Sequence, residues 1–126
     1  MKTKLFMVAA LPIVSALTGC ANIQIPTDTA ARERFFLQEE HNIEATCGWL
    51  GPISVGTGAK PYVYSRTTRE FMTATNPRFK DGSWFVEFNS DSLTFAYTPS
   101  ADGNNGRAGV IGSSGITPCR ATFISN

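Results

Sequence analysis

From Thr46 onward the chain carries short runs in which apolar and polar residues alternate with a period of two. That spacing is the mark of strands with one buried face. The clearest run sets Trp84, Val86 and Phe88 against Phe85, Glu87 and Asn89, then Leu93, Phe95 and Tyr97 against Thr94, Ala96 and Thr98. The polar residues Asn89-Ser90-Asp91-Ser92 between them read as a hairpin turn. Asp81-Gly82 predicts a second tight turn, with glycine supplying the positive φ that hairpins need. Pro77 shortens the strand leading into it, since proline donates no ladder hydrogen bond. Tyr62–Arg66 is another candidate strand, Phe71–Ala74 a weaker one, and Arg120–Ile124 the last.

The segment before these strands has a different period. Thr27, Asp28 and Thr29 offer N-cap side chains ahead of Ala30–Glu40, most of which are good helix formers. Ala31 and Phe35 lie four apart, and Phe36 and Ile43 seven apart, giving a partly apolar stripe. A helix is expected from Thr29 to His41. Adjacent aromatics leave a strand through Arg34–Leu37 as the alternative. Residues 99–115 hold five glycines and read as a long mobile loop, with Arg107 at its tip and at most a short strand over Ala108–Ile111. The expected fold is mainly β, with α+β as the variant: a small antiparallel β-barrel or sandwich with one N-terminal helix and one disulfide.

The start of the chain is of another kind. Lys2 and Lys4 precede an apolar run from Leu5 to Leu17, which fits a secretory signal peptide. The run falls short of the ~20 residues a helix needs to span a bilayer. It ends in Leu17-Thr18-Gly19-Cys20, which resembles the lipobox of bacterial lipoproteins. The resemblance implies that Cys20 carries a diacylglycerol, that the bond before it is cut, and that the new amino terminus is acylated. Two or more acyl chains, at about 0.8 kcal/mol per buried methylene, hold a protein stably on a membrane. The alternative is an ordinary secreted protein in which Cys20 merely follows a conventional cleavage site. Ala21 and Asn22 after the cysteine imply, in a Gram-negative cell, the outer membrane facing the periplasm. The division is then 1–19 signal, 20–28 lipidated cysteine and tether, and 29–126 a single domain. A flexible tether of that length spans roughly 15 Å, keeping the domain close to the bilayer.

Removing Lys2 and Lys4 takes the formal charge from +1 to −1. A nucleic-acid binder carries a basic excess, so that class is excluded. Cys47 and Cys119 remain, and an oxidising envelope makes an intramolecular disulfide the expected pairing; free thiols or a bond to a partner are the alternatives.

Signs of catalysis are sparse. His41 is the only histidine, and with Glu39, Glu40 and Glu44 it reads as a solvated helix face rather than a metal site. Gly112-Ser113-Ser114-Gly115 lacks the closing glycine of a nucleophile elbow, because Ile116 stands there. No catalytic residue, metal ligand set or cofactor beyond the covalent lipid is assigned. Tyr62, Tyr64 and Arg66 share one face and combine residue types enriched at interaction hot spots; Phe85 and Arg107 are further contact candidates. The expected function is a non-enzymatic envelope lipoprotein that meets the membrane through its lipid and binds an envelope component or an external protein. A structural accessory subunit of an envelope complex is the alternative. Lipoproteins that inhibit host lysozymes are similar in size, β content and disulfide, but no residue motif links this chain to them.

Overall fold

The computed structural model describes residues 24–104 and 106–124; the signal segment and the lipobox lie outside them. One helix, α1 (Thr29–Leu37), precedes β1 (Asn42–Cys47), β2 (Gly51–Gly56), β3 (Tyr62–Ser65), β4 (Glu70–Thr73) and β5 (Thr75–Lys80). Then come β6 (Ser83–Phe88), β7 (Leu93–Pro99), β8 (Gly106–Gly112) and β9 (Gly115–Ile124). All pair antiparallel, in the order β4-β3-β2-β1-β9-β8-β7-β6-β5. The two outermost strands, β4 and β5, are separated in sequence only by Ala74. The sheet therefore curls into a nearly closed up-and-down barrel, one of the two architectures expected.

Two stretches of chain change neighbours halfway. β9 pairs with β8 through Gly115–Cys119 and with β1 through Arg120–Ile124. The continuous β4–β5 stretch pairs with β3 before Ala74 and with β6 after it. The barrel is thus two four-stranded meanders, each lending the end of its last strand to the first strand of the other.

The alternation read in the sequence faces the interior: Trp84, Val86, Phe88, Leu93, Phe95 and Tyr97 are all buried. Ile43, Ile53, Val55, Val63, Val110 and Phe123 fill the remaining space. α1 closes one pole. Phe36, fully buried, lies 5.6 Å from Phe79, 5.9 Å from Trp84, 6.0 Å from Tyr97 and 5.7 Å from Phe123, ring centre to ring centre. Turns at 57–61, 81–82 and 100–104 share this capped pole; those at 48–50, 66–69, 89–92 and 113–114 form the far pole.

The helix starts where expected, with Asp28 accepting from the Ala31 amide at 3.0 Å. It stops at Leu37 rather than His41, and the alternative strand over Arg34–Leu37 does not form. Thr57 is the reason. Its Oγ1 donates to the Glu39 carbonyl and accepts from the His41 amide, both at 2.9 Å, while Gly58 N–H donates to the Phe36 carbonyl. Those backbone groups are bound to β2's end and unavailable to a longer helix.

The stretch 99–115 is a correction. It is no long mobile loop: β7 runs to Pro99 and β8 occupies Gly106–Gly112, placing Arg107 within a strand. The glycines of β8 serve close packing rather than mobility. A Cβ on Gly106 would stand 2.4 Å from the Tyr97 hydroxyl, and one on Gly112 3.2 Å from Leu93. Pro77 sits inside β5 at a register shift between Thr75 and Arg78, where the missing N–H is tolerated. Asp81 and Gly82 form the tight turn with φ of 54° and 82°.

Cys47 and Cys119 are disulfide-bonded, 72 residues apart in sequence and 4.2 Å apart at Cα. The bond ties the end of β1 to β9 at the point where β9 passes from one neighbour to the other.

Candidate functional site

Strand register arranges the outward side chains of five strands in rows across one barrel wall. One row runs Phe71, Tyr64, Ser54, Glu44, Thr122, from β4 through β3, β2 and β1 to β9. The next runs Thr73, Tyr62, Gly56, Asn42, Ile124. At ~4.8 Å between strands, each row covers roughly 19 Å.

The wall is aromatic on one side. Phe71, 72 % exposed, lies 5.6 Å from Tyr62 and 4.6 Å from Tyr64, ring to ring. Tyr62 is laid flat across its neighbour: a Cβ on Gly56 would be 2.1 Å from the Tyr62 ring. This reach lets the Tyr62 hydroxyl donate to Asn42 Oδ1 at 2.6 Å, one strand further on. Burial, then the nearby Glu40 and Glu44 carboxylates, push the Tyr62 phenol above its usual range.

The other side is charged. Arg66, in the turn after β3, places Nη2 3.1 Å from Glu44 Oε1. Ser54 Oγ donates to the second Glu44 oxygen at 2.8 Å. This pair borders a groove of about 740 Å³ lined by Glu44, Thr46, Gly48, Arg66, Arg120 and Thr122. Arg120 forms no ion pair among the described residues. With two guanidiniums against one carboxylate, the groove is a net cationic concavity beside an aromatic shelf.

Tyr62, Tyr64 and Arg66 thus come together on this wall. Phe85 does not join them: it faces outward on β6, half-buried, with the Arg78 guanidinium 5.2 Å from its ring centre. Arg107 is exposed on β8, opposite Thr98, and also lies apart. Cys20 lies outside the described residues. Glu44, Phe71 and Arg120 were missed in the sequence, because only the order of β4, β1 and β9 around the barrel makes them neighbours of β3. The sequence put Glu44 on a solvated helix face and Phe71 and Arg120 in separate candidate strands, with nothing to join them.

His41 stacks on Phe35 at 3.9 Å and meets Glu39 Oε1 at 3.1 Å. Among the described residues no three or more His, Cys, Asp or Glu side chains are grouped to hold a metal ion. At the far pole Trp49 is 69 % exposed in the short 3₁₀ turn Gly48–Leu50. Compared with known proteins, the chain matches no family model, no curated protein and no solved structure.

Proposed function

We propose that this chain is a lipid-anchored lipoprotein of the cell envelope, facing the periplasm on the outer membrane in a Gram-negative cell. It works without catalysis, by binding an envelope component or an external protein. The lipobox-like Leu17–Cys20 supports the anchor. The row Phe71–Tyr64–Ser54–Glu44 with Arg66 and Arg120 supports the binding role. It joins a strongly exposed aromatic to half-exposed arginine chemistry on a rigid sheet, the mix on which hot spots are built. Glu44 is held by Ser54 and Arg66, which fixes its carboxylate as a recognition element on the wall.

A photo-crosslinking residue tests this when placed at Phe71 in one variant and at Phe85, on β6 outside these rows, in another. Each is made lipidated in the native host. Crosslinking of one defined envelope or external protein from position 71, and not from 85, is the expected result. Equal capture from both positions, or none from position 71, would sink the reading. Mass spectrometry of the Cys20 peptide tests the anchor separately.

A further inference from the structure

The first described residues are not slack chain. Ile25 is almost fully buried within the core cluster. Its amide donates to the Gly103 carbonyl at 3.4 Å, and Gln24 Nε2 to the Asp102 carbonyl at 3.3 Å. Arg32 of α1 clasps the same junction, with Nε on the Pro26 carbonyl and Nη2 on the Ser100 carbonyl. The β7–β8 turn that receives this segment is itself built tightly. The Asp102 carboxylate accepts from Ser100 Oγ at 2.6 Å and from the Asn104 amide at 3.0 Å. The Ser100 bond, then the Asn104 amide, hold its carboxyl below the usual carboxylate range.

From Cys20 to Gln24 is a step of four residues. At no more than ~3.5 Å per residue, they reach at most about 14 Å. The longest strand between the poles exceeds that reach: the ten residues of β9 extend about 33 Å along the strand. Resting on the anchor proposed above, we infer that the barrel is held with its capped pole, at the β7–β8 turn, beside the lipid headgroups. Inversion would carry Gln24 too far from the bilayer for the remaining chain to span. The far pole with Trp49 cannot be turned onto the membrane, and the Phe71–Arg120 wall stands open to a partner approaching from the side or from above.

Surface charge does not impose this orientation. Around the capped pole Arg34, Lys60 and Lys80 alternate with Glu33, Glu39, Glu40, Asp81 and Asp102, so no net basic face meets anionic lipid. The short pinned chain does, and the orientation is expected to persist at high salt.

The test uses full-length lipidated protein in phosphatidylethanolamine/phosphatidylglycerol vesicles carrying an acceptor-labelled lipid. A donor dye is attached through Lys60→azidophenylalanine at the capped pole or Thr68→azidophenylalanine at the far pole, both exposed sites. Energy transfer from position 60 should exceed that from 68 at least twofold, at low salt and in 0.5 M salt. Inserting a twenty-residue Gly/Ser spacer after Ala21 should remove most of the difference. Vesicle flotation with equal transfer from the two positions overturns the orientation and leaves the anchor standing. Failure to float, with an unmodified Cys20 by mass spectrometry, overturns both.

Discussion

Cys119 stands opposite Cys47 one rung beyond the Thr46–Arg120 pair, closing the seam between the two halves of the barrel on that side. On the other side, one rung beyond Thr75–Glu87, the same register position falls to Ala74 and Phe88, both buried. There the seam is held by apolar packing and by Thr75 Oγ1, which donates to Asp91 Oδ1 at 2.6 Å. One seam is covalent and the other is not.

The non-covalent seam is expected to open first. In native-state hydrogen exchange the amides of β5 that pair with β6 should exchange faster than those of β9 that pair with β1. Replacing both cysteines by serine should cost about 4 kcal/mol, the loop-closure figure for a 72-residue separation, read as a lowered urea midpoint. A loss below about 1 kcal/mol would show that the fold does not depend on the bridge.

Phe36 touches four aromatic rings from β5, β6, β7 and β9 and is wholly buried. Phe36→Ala should therefore cost about 3–5 kcal/mol, a large part of what a small domain has. Glu33→Ala, exposed on the same helix, should stay within about 0.5 kcal/mol. Urea unfolding of the two variants checks the contrast.

Tyr62→Phe keeps the ring over Gly56 and removes only the bond to Asn42, so it should cost about 1 kcal/mol at neutral pH. The sign with pH is set by the raised phenol of the folded state. Its contribution is whole below the unfolded value of about 10 and is lost as pH rises through the folded value. The gap between the parent and Tyr62→Phe in urea midpoints should hold from pH 7 to 9 and narrow above 10.

Phe71→Ala removes a ring that is mostly in solvent, so stability should change by less than about 1 kcal/mol. Affinity for the partner captured at that position should fall at least tenfold, measured by titration calorimetry. An unchanged affinity would move the contact surface elsewhere.

Much of this fold was legible. The β6–β7 hairpin followed from Trp84–Tyr97, where large inward residues alternate cleanly with polar ones, and the Cys47–Cys119 bond followed from parity and compartment. β1 was hidden, because its inward side chains include only the small Ala45 and Cys47 beside Ile43. β8 was hidden by glycines whose purpose, room for Tyr97 and Leu93, depends on a neighbouring strand. Half of the candidate wall was visible as Tyr62, Tyr64 and Arg66 on one strand and its turn. The other half, Phe71, Glu44 and Arg120, belongs to it only through pairings made around the barrel.

The paired meanders bear on how the chain withstands proteolysis. A cut at the exposed Asp81-Gly82 turn would divide the protein into its two halves, one containing Cys47 and the other Cys119. The fragments would stay covalently joined and in register, so nicked molecules could persist as working ones until a reductant parts them.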